Sequence, residues 1–288
     1  MTKIVRAKSE LLEIFHHALR APVVQIAEKR STREEKARAI NALVGDIKSN
    51  LPKKAEDIPL GDRPNYAIVL QYCFSVASLE YRHKVWPYEY MAFSRRVGEL
   101  WEDFCSAAWD YPSRRGVARI TAPSFSTVRD ALATRIQTNI GAHAKRQELI
   151  EDTNTLFEII GDINMYEDEV FSVDGVPHVI DFKSGFGSNE KGNMLRLQTV
   201  GRAYRIWNRQ TQLFLLVRQE ENNNYLRVLR RTGLWEVHTG SEAYQKISEF
   251  TGADMQAIRD AVIDWQSDLS PALYKYLKAS DLAGYLIW

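Results

Sequence analysis

The stretch GDINMYEDEVFSVDGVPHVIDFKSG, residues 161–185, contains the clearest indication of the fold. Val170–Val173 and Val176–Phe182 are rich in β-branched and aromatic residues and alternate in the manner of strands. Between them stands Asp174-Gly175, a dipeptide typical of two-residue hairpin turns. The sequence therefore predicts an antiparallel hairpin whose second strand ends in charged residues.

Two charged side chains are expected to converge at the end of that second strand. Because successive side chains of a strand point to opposite faces, Asp181 and Lys183 should project together, whereas Ile180 and Phe182 should point into a core. Carboxylates are hard oxygen ligands that suit Mg²⁺. A lysine beside a metal-bound water can orient that water, deprotonate it, or offset negative charge on a phosphate under attack.

A second carboxylate is expected to join this pair, and its identity is open. Asp162 is the first choice, because the apolar residues before it predict a β segment over 157–163 that could pair with the hairpin. Asp168 is the alternative, although it lies in an acidic run typical of a solvated bend. Asp174 is better explained by its turn.

Outside the hairpin, the patterns predict an α/β (α+β) protein with a mixed central sheet flanked by helices. A helical N-terminal subdomain is expected over residues 1–86, with a polar linker at Pro52–Pro64 and a capping box at Thr32. Residues 87–288 should form the core, with helices at the C-terminal end. Its predicted helices cover Tyr90–Trp109, Ser126–Leu149, Met194–Trp207 and the region from Ser241, and its further strands cover Gln212–Val217 and Tyr225–Leu229.

The predicted helix Met194–Trp207 has two distinct faces. One is apolar, whereas the other carries a polar row spaced by four, three and four residues. Guanidinium groups in such a row are suited to contact the phosphates of a nucleic acid. The residues of this row are Gln198, Arg202, Arg205 and Arg209.

Asp162, Asp181 and Lys183 resemble the acid-spacer-(Asp/Glu)-x-Lys signature of the PD-(D/E)xK nuclease superfamily, and the segment looks most like type II restriction endonucleases. The resemblance covers roughly Tyr90–Leu229. It implies a restriction-endonuclease-like core in which Asp162 and Asp181 hold Mg²⁺ and act in catalysis with Lys183. Members of the superfamily often carry a Gly-x-x-x-Glu helix near the metal, which makes Glu102 a further candidate ligand.

What this resemblance implies is a Mg²⁺-dependent endonuclease that cuts double-stranded DNA, most simply a site-specific type II restriction enzyme acting as a homodimer. A repair or phage-type nuclease of the same superfamily, acting on DNA ends or branches, is one alternative. A non-catalytic nucleic-acid-binding protein is another. The signature departs from its name at one position, because Gly161 stands where the proline would be.

Composition and the motifs that the sequence lacks bear on which cofactors, metals and cellular location are expected. The 288 residues are 45% hydrophobic and 26% charged, as in an ordinary globular protein, and the net charge of +1 does not by itself indicate a polyanionic partner. The sequence lacks a Walker or Rossmann glycine pattern, so no nucleotide cofactor is expected, and its histidines and two cysteines lack zinc spacing. With no apolar leader or membrane span expected, the predicted location is cytoplasmic, away from membranes.

Overall fold

The computed structural model describes residues 2–51, 58–141, 145–185, 191–219 and 224–288. The protein is α+β with a mixed sheet, as the sequence predicts in outline. Over the described residues the helices are α1 Thr2–Glu28, α2 Arg33–Asn50, α3 Arg63–Val85, α4 Tyr90–Ser106, α5 Phe125–Ile140, α6 Arg146–Ile160, α7 Lys191–Trp207, α8 Asn224–Thr232, α9 Ser241–Thr251, α10 Met255–Val262, α11 Trp265–Asp268 and α12 Pro271–Ala279. The strands are β1 Val117–Arg119, β2 Glu169–Val173, β3 Val176–Lys183, β4 Gln212–Val217 and β5 Glu236–Thr239.

The chain divides into two compact units. The first contains Met1–Arg115 together with Tyr244–Trp288, and the second contains Gly116–Ala243. The expected boundary at residue 86 differs from the observed ones, which lie between Arg115 and Gly116 and between Ala243 and Tyr244. Trp86 marks only the end of α3, inside the first unit. The C-terminal helices belong with the N-terminal ones rather than with the core that carries the hairpin.

The first unit is built around α3. This helix is buried along almost its whole length, including Tyr72 and Val76, which fits its apolar composition and its lack of a polar face. The predicted capping box of α2 is present, with Thr32 accepting the N–H of Glu35. None of the helices in the described parts of the chain is long and apolar enough to cross a membrane.

The second unit contains the five-stranded sheet, in the order β1-β2-β3-β4-β5. Strands β1, β2 and β3 are antiparallel neighbours, whereas β4 and β5 extend the sheet in parallel. The predicted hairpin turn is confirmed: Asp174 and Gly175 both have positive φ, at 51° and 82°. These are the values that a two-residue turn joining twisted strands requires.

Helix α7 connects β3 to its parallel neighbour β4 and packs on one face of the sheet. Leu197 and Val200 of α7 lie in the same buried cluster as Val179 of β3 and Leu215 of β4. A parallel pair needs such a crossover, and its apolar stripe has to face the sheet. The position of α7 matters for function because this helix reaches the end of β3.

Two predicted elements are wrong in type. The segment 157–160, expected to be a strand, is the end of α6, where Phe157 packs against Phe125 of α5 with ring centroids 4.7 Å apart. Tyr225–Leu229, also expected to be a strand, lies within α8, since Leu226 and Leu229 are buried at helical spacing. The predicted helix 126–149 is divided between α5 and α6, and α5 is capped by Ser124.

Two predicted loops lie partly outside the described residues. Positions 52–57 of the expected linker Pro52–Pro64 are outside, while Pro64 itself lies in the first turn of α3. Positions 186–190 of the loop expected after β3 are also outside, and α7 already begins at Lys191.

Candidate active site

The end of β3 carries the two polar side chains that the hairpin pattern predicts. Asp181 is only 1% exposed, and Lys183 is half-buried. Both share a face with Val179, the face on which α7 packs. Ile180 and Phe182 are fully buried, as expected for the other face. A carboxylate as buried as Asp181 requires charged or hydrogen-bonding partners, since an isolated buried charge is costly.

The neighbouring acid is Asp168. The hairpin register pairs Glu169 with Ile180, so Asp168 lies one step further, opposite Asp181. Its Oδ2 accepts the backbone N–H of Phe182 at 2.6 Å, which ties this carboxylate to the edge of β3. The structure thus brings the alternative acid, rather than Asp162, to the hairpin.

Asp162 is placed differently from the prediction. It is exposed on the irregular segment that follows α6, not on a strand. The argument that a paired strand would carry it toward Asp181 is therefore wrong. A role for Asp162 stays a prediction, without the strand pairing on which it was based.

Arg196 connects Asp181 to another acidic residue, Glu167. Its Nη1 donates to Oε1 of Glu167 at 2.7 Å, and its Nη2 donates to Oδ2 of Asp181. The Glu167 side chain is 1% exposed, whereas that of Arg196, on α7, is 38% exposed. We call Glu167, Asp168, Asp181, Lys183 and Arg196 the acid cluster.

Lys183 provides the second positive charge of the acid cluster. Its Nζ forms an ion pair with Oδ1 of Asp181 and donates a hydrogen bond to the carbonyl of Phe182 at 2.9 Å. Oδ1 of Asp181 is itself buried and, among the described residues, has no hydrogen-bond partner. Each oxygen of Asp181 is thus matched with one cation.

Two contacts fix the segment that carries Glu167 and Asp168. Tyr204, buried on α7, donates its hydroxyl to the carbonyl of Met165 at 2.6 Å. Arg119 of β1 makes a two-pronged pair with Glu169, with N–O distances of 2.9 and 2.7 Å. The segment is therefore anchored on both sides of the two acids.

A cleft of about 320 Å³ lies beside the acid cluster. Glu167 and Asp168 line it, together with Arg119 and the exposed ring of Tyr166. Val170 and Ile120 contribute apolar surface. This cleft gives the carboxylates an approach from solvent.

The acid cluster shifts the pKa values of its members in opposite directions. Burial, with Asp181 nearby, raises the pKa of Glu167 to about 9. Burial of the carboxylate and the charge of Asp181 raise the pKa of Asp168 to about 6, although the residue as a whole is exposed. Burial alone would raise the pKa of Asp181, but Lys183, Glu167 and Arg196 together hold it below its usual value.

These shifts define the charge state near neutral pH. Glu167 keeps its proton and shares it with the ionised Asp181. Burial lowers the pKa of Lys183, but the adjacent Asp181 more than reverses this and raises it above the ordinary value. Lys183 is therefore an ammonium group, able to stabilise negative charge and poorly suited to accept a proton.

The proposed phosphate-contacting row lies on another side of α7. At about 100° per residue, Gln198, Arg202 and Arg205 are about 200°, 240° and 180° around the helix axis from Arg196. Arg202 and Arg205 are exposed, Gln198 is half-buried, and Arg209 is exposed just beyond the end of α7. The row is thus accessible, but it does not face the acid cluster.

Glu102 belongs to a different unit. It is half-buried on α4 of the first unit, whereas the acid cluster is formed entirely by residues of the second. Its role as a metal ligand stays a prediction.

The donors of the acid cluster suit Mg²⁺ in kind. Asp168 and Asp181 provide hard oxygen ligands. Within the described residues, however, no three His, Cys, Asp or Glu side chains are arranged as a ready metal-binding group. Asp181 and Glu167 are paired with Lys183 and Arg196 instead, and Asp168 accepts the backbone N–H of Phe182.

Comparisons of the chain with protein-family models, with curated proteins and with solved structures found no match. The assignment of a function therefore depends on the residues and geometry of the acid cluster.

The raised pKa of Glu167 predicts a pH-dependent effect of Glu167→Gln on stability. Glu167 is protonated in the fold up to a pKa of about 9, whereas the unfolded chain releases this proton near the ordinary value of 4.5. The stability that the bound proton provides is complete below the lower value and is lost as the pH rises toward the higher one. Glutamine mimics the protonated acid at every pH.

We expect the two proteins to be similar at pH 5 and Glu167→Gln to be the more stable by at least about 1.4 kcal/mol at pH 9, the equivalent of one pKa unit. Urea denaturation at a series of pH values measures the difference. Glu158→Gln, an exposed change on α6, is the control and should show no such trend. A constant difference across the range would mean that Glu167 is ionised in the fold.

Proposed function

We propose that the protein is a Mg²⁺-dependent endonuclease that hydrolyses phosphodiester bonds of double-stranded DNA on a restriction-endonuclease-like core. The observation that carries the proposal is the convergence of buried Asp181 with Asp168 and Lys183 at the end of one strand, beside an open cleft. Two carboxylates can hold a metal ion that activates water, and an ammonium group can stabilise charge on the phosphate, so this set is suited to hydrolysis of a phosphodiester.

Asp168 and Asp181 would hold the ion, because their carboxylates lie on the same edge of the hairpin. When bound, Mg²⁺ polarises a phosphate oxygen and lowers the pKa of a coordinated water. Lys183, kept as an ammonium group by Asp181, stabilises the negative charge that grows on the phosphate oxygens. Its raised pKa favours this role over that of a general base.

The exposed arginines of α7 support DNA as the substrate. Arg202 and Arg205 are exposed and make only local hydrogen bonds, to the carbonyls of Gln198 and Arg209 among the described residues, so the sugar–phosphate backbone can reach them from the solvent side. Their distance around the helix from Arg196 means that one DNA molecule would have to pass over α7 as well as the acid cluster. A site-specific enzyme of type II, working as a cytoplasmic homodimer so that both strands are cut, is the form of this function that we favour.

A non-catalytic nucleic-acid-binding protein is the second candidate. The observation in its favour is that Arg196 and Lys183 already balance Asp181, so the acid cluster also forms a self-contained buried ion-pair network. Such networks occur for structural reasons alone. Binding of DNA with no cleavage at any divalent cation would select this candidate.

The choice between Asp168 and Asp162 provides the first test. Purified protein is incubated with supercoiled plasmid and Mg²⁺, and the products and their ends are analysed. We expect Asp168→Asn to reduce cleavage by about 10²-fold or more, since it removes a positioned catalytic group, and Asp162→Asn to leave it unchanged.

The two variants are matched controls for one another, because each removes one carboxylate from the same segment of the chain. Loss of cleavage with Asp162→Asn alone would reverse the assignment of the acid. Discrete plasmid fragments indicate a site-specific enzyme, whereas cutting confined to linear or branched DNA indicates the repair or phage-type alternative.

A further inference from the structure

Arg196 is the member of the acid cluster that comes from α7, whereas the other four lie on β3 or on the two residues just before β2. We propose that Arg196 occupies the cation position of the cluster until Mg²⁺ and DNA bind, and that it is then released to pair with a phosphate oxygen of the substrate. This inference rests on the proposed function and assigns a positioning role to a residue that the nuclease signature does not include.

The geometry shows Arg196 in the place of a bridging cation. One guanidinium nitrogen contacts Glu167 at 2.7 Å and another contacts Oδ2 of Asp181. A single positive group thus joins two acidic side chains, one on the segment before β2 and one on β3. Bridging carboxylate oxygens is also what a bound divalent ion does. The two occupants therefore compete for the same oxygens of Asp181.

The charge balance makes that competition necessary. Lys183 and Arg196 both pair with Asp181, one with each carboxylate oxygen. A divalent ion that enters beside this carboxylate would meet two positive groups within a few ångströms. Binding becomes favourable when one of those groups leaves.

Arg196 is the cation that can leave. Lys183 is on the same strand as Asp181, two residues away, and its side chain is 19% exposed. Arg196 is 38% exposed and is attached to α7, so its longer side chain can rotate toward solvent without moving β3. The released guanidinium has the planar fork that pairs well with phosphate oxygens.

Release of this kind couples metal binding to DNA binding. Without DNA, Mg²⁺ has to displace Arg196 from Asp181 and Glu167 without providing it with a new partner. With DNA bound, a phosphate of the DNA replaces Asp181 and Glu167 as the partner of Arg196. We therefore expect the wild-type protein to bind Mg²⁺ weakly on its own.

The experiment compares Mg²⁺ binding to the wild type and to Arg196→Gln by calorimetry, in the absence of DNA. We expect the variant to bind Mg²⁺ more tightly, on the order of tenfold, within the range usual for coupled sites. Its melting temperature should be below that of the wild type without metal and should recover on addition of Mg²⁺. A purely structural arginine would give the loss of stability without this recovery.

Arg129→Gln is the matched control. Arg129 has a similar exposure, 43%, and pairs only locally with Asp130 in the same unit. This variant should bind Mg²⁺ as the wild type does. Arg196→Lys covers the case in which the glutamine variant does not fold, because lysine keeps the charge but lacks the planar fork that joins Glu167 to Asp181. Its Mg²⁺ affinity should exceed that of the wild type.

DNA affinity measured in Ca²⁺ tests the second half of the proposal, and Arg196→Gln should lower it. Equal Mg²⁺ affinity of the wild type and Arg196→Gln, or a stability loss that Mg²⁺ does not reverse, overturns the inference. The proposed function still stands in that case if the wild type cuts DNA with Mg²⁺ and the Asp181 variant does not. If neither protein binds a divalent ion and the wild type does not cut, the proposed function fails as well.

Discussion

Asp181→Asn should reduce Mg²⁺-dependent cleavage by about 10²-fold or more, the size of effect found when one group that stabilises the transition state electrostatically is removed. Asparagine has nearly the same shape as aspartate, so β3 and its pairing with β4 should be kept. What disappears is the charge that Lys183 and Arg196 balance and the hard oxygen ligand that Mg²⁺ requires. The initial rate of plasmid nicking measures the effect.

Two measurements separate loss of chemistry from loss of the fold or of DNA binding. Far-ultraviolet circular dichroism should be unchanged, and duplex DNA should still bind in Ca²⁺. Asp174→Asn is the matched control, because it makes the same substitution at the opposite end of the same hairpin, in a left-handed turn position that asparagine adopts readily. Full cleavage by Asp181→Asn would exclude the acid cluster as the active site.

Trp235→Ala should cause the largest loss of stability in the second unit, about 3–5 kcal/mol. The indole is 1% exposed and donates to the carbonyl of Leu197 on α7 at 2.8 Å. Gly201 lies against the same ring: a Cβ there would be 2.7 Å from the indole nitrogen. The ring of Trp235 therefore packs directly against the backbone of α7 at Leu197 and Gly201. Alanine at position 235 would leave a cavity under the helix that carries Arg196.

Urea denaturation followed by circular dichroism measures the free energy of unfolding. Trp235→Phe is the control, because phenylalanine keeps most of the ring and removes the hydrogen bond. In addition to the effect of the smaller ring, loss of this hydrogen bond should lower the free energy of unfolding by about 1 kcal/mol. A loss below about 1 kcal/mol for Trp235→Ala would show that the ring is not essential to the packing of α7.

The hairpin could be predicted because its signals are local. Asp174-Gly175 determines the turn, the turn determines the register, and alternation then places Asp181 and Lys183 on one face. The same reasoning, carried one residue past the pair formed by Glu169 and Ile180, also places Asp168 opposite Asp181. The sequence contained this information, but the acidic run around Asp168 resembled a solvated bend.

The remaining errors have a tertiary cause. The β-branched end of α6 resembles a strand until its packing against α5 is known, and the same is true of Tyr225–Leu229 in α8. Arg196 could not be predicted from helical periodicity. The pattern separates a buried face of α7 from an exposed face, but it does not show which groups of the sheet lie next to a residue at the edge of the buried face. A charged residue next to the core stripe, in the helix after the acid-bearing strand, is the signal that could have indicated it.

The hairpin also has a consequence for the order in which the acid cluster assembles. Asp168 and Asp181 are joined by one tight turn, so they can meet as soon as β2 and β3 have left the ribosome, whereas α7 emerges later. The carboxylates thus come together while water still screens their repulsion. Helix α7 covers the face of β3 that carries Asp181, and the same helix brings Arg196 to pair with it, in addition to Lys183 on β3 itself. The element that excludes water from Asp181 thus also carries a compensating cation.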